Sequence, residues 1–188
     1  MKKPKVTLVR FTESPEKVIY WGWKIMHFPT PATPEEMDDI PVGVEMKNFL
    51  EMVYNQAHTG VLEIVNMLFR IDNVSRAFQQ QLTRTRMASY IIQSLRIFNV
   101  GNFADDENYH IPDDIINIKY FKEVMKCIQN DYNTMITHGE KVETARGILP
   151  LNVFSPINMR IDLRNLSRLM ELRMCNCTQG EFREVAQL

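Results

Sequence analysis

The hydrophobic period of this chain changes along its length, and that change limits the folds open to it. In residues 112–138 the apolar side chains recur every three or four positions, as they do on one face of a helix. These side chains are Ile115, Ile118, Phe121, Val124, Met125 and Ile128. Residues 6–11 and 61–71 are instead dense in β-branched and large apolar residues, which predicts two strands, the second largely buried. A chain with both patterns is predicted to be a mixed α+β domain.

Capping and breaking residues predict the other elements. Pro15 after Ser14 predicts a capped helix that runs to about residue 26, and Asn73 or Ser75 is expected to cap a later helix. Pro112 is expected to open the longest helix. The remaining predictions are helices at 44–57, 142–148, 162–174 and 179–186, a proline-rich loop or short broken helix at 28–41, and a strand in the latter part of 88–100.

The composition is that of one globular domain spanning residues 1–188. At this size folding buries roughly 70% of the unfolded chain's surface, so a core can form without disulfides or a structural metal. With 22 basic and 23 acidic side chains, the net charge of −1 offers no broad surface for nucleic acid or an anionic membrane, and neither is expected as a partner. The chain has no long apolar run and no signal-peptide pattern at its start, so we expect a soluble, cytoplasmic protein.

Three cysteines, Cys127, Cys175 and Cys177, cannot all pair with one another. The close pair would hardly form a bridge within one helix, so a reducing compartment is favoured. A zinc site usually needs two ligand pairs at set spacings, and no second Cys/His pair accompanies Cys175 and Cys177. We therefore expect no metal site.

Arginine placement is the most informative chemical feature, because the common dinucleotide, P-loop and hydrolase motifs are absent. Arginines recur beside short polar side chains at Arg84, Arg86, Arg96, Arg146, Arg164 and Arg173. A planar guanidinium can bind two phosphate oxygens or donate to a uracil carbonyl, so this set suits a nucleotide monophosphate. A solvated basic helix face remains the alternative, since Arg160, Arg164 and Arg168 recur every four positions.

The order of these residues resembles the signature of the flavin-dependent thymidylate synthases, the ThyX family. In that family an RHR triplet is followed by a serine and, two residues later, an arginine; here Arg84, Thr85 and Arg86 are followed by Ser94 and Arg96. Similar stretches lie at residues 6–17, 58–63, 143–152 and 166–181. The resemblance covers most of the chain and implies a ThyX-like α+β fold, a mixed sheet with helices, in a divergent member with RTR in place of RHR.

Membership of this family implies a homotetramer in which FAD and dUMP lie at subunit interfaces. Methylene-tetrahydrofolate is expected to give the one-carbon unit, and NADPH to reduce the flavin, whose reducing equivalents help turn dUMP into dTMP. No cysteine of the enzyme attacks the pyrimidine in this family, although Cys175 or Cys177 stays open as a nucleophile from the residues alone.

The resemblance also assigns individual residues. The positions that match the family's dUMP contacts are Gln81, Ser94, Arg96, Arg146 and Arg173. Among them Arg173 is expected to polarise the pyrimidine and, with Arg96, to act in catalysis. The positions that match flavin contacts are Glu63, Arg84, Thr85, Arg86 and Arg164, with His58 as a folate or flavin neighbour. Each of these also has a structural alternative as part of an ordinary salt bridge or surface.

Departures from the family pattern leave three functions open. Thr85 replaces the triplet histidine, Ile91 and Ile92 replace an Asn and a Glu, and Cys177 replaces a His. The first function is a divergent thymidylate synthase. The second is a related flavin- and folate-dependent enzyme that places a hydroxymethyl group on dUMP or dCMP. The third belongs to another class, a noncatalytic protein that binds pyrimidine nucleotides.

Overall fold

The computed structural model of the chain describes residues 2–30, 33–40, 42–56 and 58–188. Its strands are β1 (Lys5–Phe11), β2 (Asn66–Asp72), β3 (Ala88–Ile92) and β4 (Ile157–Asp162). Its α-helices are α1 (Pro15–His27), α2 (Val44–Asn55), α3 (Arg76–Leu82), α4 (Ile118–Thr137), α5 (Val142–Ala145), α6 (Leu163–Arg173) and α7 (Gly180–Ala186). Short 3₁₀ segments lie at Glu35–Met37, Thr59–Ile64 and Arg146–Ile148.

The four strands form one sheet in the order β1-β2-β4-β3. A mixed sheet was expected, but all three neighbouring strand pairs are antiparallel. The α+β class itself is confirmed, because helices cover the sheet and β2 and β4, far apart in sequence, form its centre.

One face of the sheet is covered by α3, α6 and α7. The buried residues of this core are Ile71, Val74, Phe78, Leu82, Ile157, Met159, Ile161, Leu169, Phe182 and Val185. On β4 the buried residues alternate with more exposed ones, as expected for a strand with one face on a core. The three helices that carry or flank most of the predicted site residues are therefore held together by burial of apolar surface.

Two smaller apolar clusters hold the other helices. Residues of α1 and α2 pack with the 3₁₀ segment at Thr59–Ile64 around Ile19, Val53 and Val61. The long helix α4 packs through Met125 on the loop that carries Phe103. Among the described residues, no helix is both long enough and apolar enough to cross a bilayer.

Helices predicted at 15–26, 142–148, 162–174 and 179–186 are confirmed to within a few residues. The helix predicted at 44–57 ends at Asn55, and Ala57 lies outside the described residues. In the proline-rich segment the structure has the short 3₁₀ helix Glu35–Met37, while Pro31, Ala32 and Pro41 lie outside the description.

The strand prediction for 61–71 was wrong in its first half. Residues Thr59–Ile64 form a 3₁₀ segment, and β2 begins only at Asn66. Val61 and Leu62 are apolar because they pack on α1 and α2, not because they extend the sheet. An apolar run alone does not separate these two kinds of burial.

The strand expected in the latter part of 88–100 lies instead in the first part, as β3. After it the chain turns, because the carbonyl oxygen of Ser94 accepts from the amides of Ile97 and Phe98, each at 3.4 Å. Strand β4 was not predicted, although Ile157, Met159 and Ile161 show the alternation of a half-buried strand.

Helix α4 begins at Ile118 and not at Pro112. Asn117 caps it, because its side-chain oxygen accepts from the amide of Tyr120 at 3.0 Å. Ser75 caps α3 in the expected way and accepts from the amide of Phe78 at 3.0 Å. Ser14 precedes α1 but makes no side-chain cap hydrogen bond, so that part of the prediction was wrong.

Ser75 also contacts a buried carboxylate on α7. Its hydroxyl donates to Oε2 of Glu181 at 2.5 Å, and its amide donates to Oε1 at 2.7 Å. Ser75 is 0% exposed and Glu181 is 3% exposed. The carboxylate is thus desolvated but satisfied, and it joins the start of α3 to α7.

Replacing Ser75 with Ala should therefore destabilise the protein strongly. The substitution removes the cap of α3 and leaves a buried carboxylate oxygen without its donor, which together should lower the free energy of unfolding by about 2–3 kcal/mol. Urea denaturation at one fixed protein concentration measures this change. Ser167→Ala is the matched control. Among the described residues the hydroxyl of Ser167 donates only to the carbonyl of Leu163 within α6, so its loss should cost under about 1 kcal/mol. Equal effects of the two substitutions would contradict the prediction.

Candidate functional site

Gln81 and Arg173 lie where α3, α6 and α7 meet. Nε2 of Gln81 donates to Oε1 of Gln179, the residue before α7, at 2.7 Å. Arg173 is the last residue of α6, and its guanidinium carbon lies 4.7 Å from the ring centre of Phe182 on α7. Helix α7 therefore touches two of the predicted nucleotide-binding residues.

Two arginines of α6 have buried nitrogens without a partner. Among the described residues, Nε of Arg164 and Nε of Arg173 are buried and make no hydrogen bond. A buried donor left unpaired costs about 1–3 kcal/mol, so native proteins seldom keep one without a reason. Donors of this kind fit a ligand that brings oxygen acceptors, such as a phosphate or a pyrimidine carbonyl.

Ser94, Arg96 and Arg146 form a second group. Oγ of Ser94 accepts from the backbone amide of Arg96 at 3.3 Å, which fixes the turn after β3. Nη2 of Arg96 lies 2.7 Å from Oε1 of Glu143, and both side chains are about half exposed. Arg146 follows Glu143 by three residues. The pKa of Arg76 is lowered mainly by the burial of Arg76 and, to a smaller extent, by the positive charge of Arg146. Arg96 is thus held beside Glu143, and the charge of Arg146 acts at the start of α3, where Arg76 lies.

The flavin-side pair, Glu63 and Arg164, is an ion pair in the structure. Arg164 lies in the first turn of α6, which Asp162 caps by accepting from the amide of Asn165 at 2.9 Å. Arg164 and Arg173 are nine residues apart on this helix, which corresponds to about 13–14 Å along its axis. One helix therefore carries a predicted flavin contact at its start and a predicted nucleotide contact at its end.

His58 is exposed, and its ring lies beside aromatic side chains of α1. Its ring lies edge-on to His27, with 5.5 Å between the ring centres, and His27 stacks on Trp23 at 4.4 Å. Nε1 of Trp23 is buried and has no hydrogen-bond partner among the described residues.

The RTR triplet follows the end of α3. Arg84 and Arg86 are exposed, and no side-chain hydrogen bond or ion pair holds either of them within the part of the chain that is described. Thr85 is half-buried, and its carbonyl oxygen accepts from the hydroxyl of Tyr90 on β3 at 3.0 Å. The backbone of the triplet is therefore anchored, while its two guanidinium groups extend to the surface.

The predicted residues are brought together in groups and not in one cleft of a single chain. Between the described residues, no hydrogen bond or ion pair joins the Arg96 group, the Arg173 group and the Arg164 pair to one another. A cavity of about 620 Å³ beside Gln93 is lined mainly by residues 99–103, 106, 108, 133, 153 and 154, and no predicted site residue lines it. This cavity therefore lies apart from the predicted site residues.

Three contacts of the predicted site residues were not anticipated. Gln179 holds Gln81, Glu143 pairs with Arg96, and Phe182 lies against Arg173. Glu143 carried a usable signal, because it lies three residues before Arg146 in the same motif. Phe182 carried no such signal, because the sequence pattern predicts only that an apolar residue of a short helix is buried. The cation beside its ring is evident only from the fold.

Comparison with known proteins identifies the class. Residues 7–188 match the family model described as Thymidylate synthase complementing protein, Thy1. The flavin-dependent thymidylate synthase of Pyrococcus furiosus is 32% identical over 186 residues, which cover 97% of this chain and 75% of the relative. The chain therefore belongs to the flavin-dependent thymidylate synthase family, as the resemblance of its motifs predicted.

Solved structures confirm the fold. Thymidylate Synthase X from Helicobacter pylori, solved with FAD and dUMP, superposes with a TM-score of 0.79 at 19% identity, covering 97% of this chain and 90% of that one. The UMP/dUMP methylase PolB from Streptomyces cacaoi, bound with 5-Br dUMP, gives a TM-score of 0.78 at 18% identity, covering 99% of this chain and 88% of that one. At these identities the likeness establishes the fold alone.

Cys175 should react faster than Cys127, although both thiols are exposed. The backbone amide of Cys177, which donates to Sγ of Cys175 at 3.5 Å, lowers the pKa of Cys175. A lower pKa raises the thiolate fraction near neutral pH, and the thiolate is the form that reacts. We expect iodoacetamide to modify Cys175 faster than Cys127, which is also exposed and unpaired, as followed by peptide mass spectrometry. The difference should vanish in urea; faster modification of Cys127 in the folded protein would contradict the prediction.

Proposed function

We propose that this chain is a flavin-dependent thymidylate synthase that converts dUMP to dTMP. The one-carbon unit comes from methylene-tetrahydrofolate, and two electrons from NADPH reduce it to the methyl level through FAD. The observation that carries the proposal is the pair of buried, unpartnered Nε atoms of Arg164 and Arg173 at the two ends of α6. They lie at positions where the family contacts flavin and nucleotide, and they supply donors for ligands that are rich in acceptors.

The nucleotide side rests on three arginines and two neutral groups. In our proposal Arg96, Arg146 and the hydroxyl of Ser94 bind the phosphate of dUMP, and Gln81 contacts the nucleotide beside α7. Arg96 then exchanges its exposed partner Glu143 for the phosphate, at small cost, because a half-exposed ion pair contributes little to stability. Arg173 faces the pyrimidine, where a fixed cation near O2 and N3 stabilises negative charge and raises the electron density at C5.

The residues of the flavin side fit an anionic dinucleotide. Arg84 and Arg86 offer two exposed guanidinium groups on an anchored backbone, and Arg164 offers a buried Nε. Bound FAD supplies the reducing equivalents for methyl formation. Glu63 orients Arg164 through their ion pair, and His58 with its aromatic neighbours offers a stacking surface for the folate or the flavin.

We further propose a homotetramer whose subunits complete each site, with residues 1–188 as a single catalytic domain. Support comes from the separate groups that the predicted residues form within one chain. Exposed apolar side chains lie beside Arg86 and Arg96 and suit an interface between subunits. These side chains are Met87, Ile91, Ile97 and Phe98. The free cysteines suit the reducing, cytoplasmic location expected from the sequence.

Substitution of either Arg173 or Arg96 tests the nucleotide side. With dUMP, methylene-tetrahydrofolate, NADPH and FAD, the wild-type protein should form dTMP, detected by mass. Arg173→Ala should lower kcat by about 100-fold or more, because the group that stabilises charge on the base is lost. Arg96→Ala should mainly raise KM for dUMP, by roughly 10- to 100-fold, because a charged hydrogen bond to phosphate is lost.

Arg10→Ala is the control for both substitutions, because Arg10 is exposed on β1 and its guanidinium, within the described part of the chain, donates only to the carbonyl of Val9. Unchanged dUMP affinity in both Arg173→Ala and Arg96→Ala would contradict the assignment of the nucleotide site. A product heavier than dTMP by one oxygen atom would show that the protein hydroxymethylates dUMP and does not methylate it.

Loss of Arg84 and Arg86 should separate flavin binding from nucleotide binding. We expect Arg84→Ala and Arg86→Ala each to weaken FAD binding by roughly 10-fold or more, while dUMP affinity changes less, because each removes a charged donor from the flavin side. Flavin absorbance after gel filtration and titration with FAD measure the first quantity, and calorimetry with dUMP measures the second. A wild-type protein that binds dUMP but takes up no added FAD would favour the noncatalytic nucleotide-binding protein.

A further inference from the structure

Phe182 of α7 lies directly against the guanidinium group of Arg173. Its ring is 2% exposed, and Cζ of Arg173 lies 4.7 Å from the ring centre. A guanidinium within about 6 Å of an aromatic ring centre is attracted by the negative charge of the ring face. The same ring contacts Phe78 of α3, with 4.8 Å between the ring centres.

The ring is held in place by the way α7 is attached. Glu181, the residue before Phe182, accepts two hydrogen bonds from the buried Ser75 at the start of α3. Gln179 accepts from Gln81 at the other end of α3. The segment directly before Phe182 is therefore bonded to both ends of α3, which fixes the start of α7 and the place of Phe182.

Arg173 is not fixed by hydrogen bonds within the described part of the chain. Its Nε is buried without a partner, and no ion pair or side-chain hydrogen bond involves its guanidinium group there. A carboxylate in place of the ring would neutralise the cation and occupy its donors. An aromatic face instead holds the guanidinium plane while leaving its charge and its in-plane N–H groups available to a ligand.

We propose that Phe182 is a positioning residue, whose ring holds the guanidinium of Arg173 in the orientation that presents its N–H donors to the pyrimidine of the bound nucleotide. The inference rests on the proposed role of Arg173. Phe182 itself is buried and acts through Arg173, so its effect disappears when Arg173 is absent. Preorganisation of a long, flexible side chain removes an entropy cost that nucleotide binding otherwise bears.

A double-mutant cycle on the FAD-loaded protein tests this proposal. Phe182→Leu, Arg173→Ala and the double variant are compared with the wild type by calorimetric titration with dUMP. Phe182→Leu should weaken dUMP binding by roughly three- to thirtyfold, the range of a desolvated cation–π contact. In the Arg173→Ala background the same substitution should change the affinity by less than about twofold, because there is no guanidinium left to position.

Phe78→Leu is the matched control. It makes the same change in side-chain size in the same buried cluster and removes a ring contact of Phe182. Among the described residues, the cation–π contact of Arg173 is with Phe182 and not with Phe78. We expect it to lower the melting temperature and to leave dUMP affinity within about twofold of the wild type. If Phe182→Leu does not fold, Phe182→Met fills more of the same space without an aromatic face and takes its place in the cycle.

The outcomes separate this proposal from the function on which it rests. If the wild type binds dUMP and Phe182→Leu binds it equally well, Phe182 does not position Arg173. If Phe78→Leu weakens binding as much, or Phe182→Leu is as harmful without Arg173, the effect is one of general packing and the proposal is overturned. A wild type that does not bind dUMP overturns the proposed function and this inference together.

Discussion

The paired hydrogen bonds between Ser75 and Glu181 are the interaction on which the geometry of the candidate site depends. They satisfy a carboxylate that is 3% exposed, and they join the start of α3 to a helix more than a hundred residues later in the chain. Because both residues are buried, removal of either partner leaves a desolvated polar group unpaired, so the two residues stabilise the protein only as a pair. Together with the apolar core that Phe78 and Phe182 share, these hydrogen bonds hold α7 against α3 and so fix the places of Gln81 and Phe182.

Helix α6 sets the distance between Arg164 and Arg173, the residues proposed for the flavin and nucleotide halves of the candidate site. It is capped by Asp162, packs on the sheet through Leu169, and carries Arg164 and Arg173 at its ends. A rigid helix of this length keeps two cations apart and in constant relative orientation, which a loop does not do. The flavin-side and nucleotide-side groups are thus spaced by backbone hydrogen bonds and not by the side chains that bind.

The cost of this arrangement falls on the folded state without ligand. Buried nitrogens of Arg164 and Arg173 have no partner among the described residues, and the guanidinium groups of Arg96 and Arg164 are held only by exchangeable ion pairs. In the proposed complex, ligands rich in oxygen acceptors would satisfy these donors, so ligand binding would stabilise the folded protein. Functional sites commonly contain groups that destabilise the protein without its ligand but are already positioned to bind it.

Much of the chemistry was evident in the sequence. The RTR signature with Ser94 and Arg96, together with the similar stretches on both sides of it, predicted the family, and Ser75 was one of the two residues expected to cap α3. The local pattern failed in the 3₁₀ segment Thr59–Ile64, where burial came from contacts with α1 and α2, whereas the alternation of β4 was present in the sequence and was missed. The sequence by itself determined which donors and charges the protein has, because residue type sets chemistry. Only the tertiary structure decided which of them meet. The contacts of Gln81 with Gln179 and of Arg173 with Phe182 arise from the packing of helices on the sheet, and no local period specifies that packing.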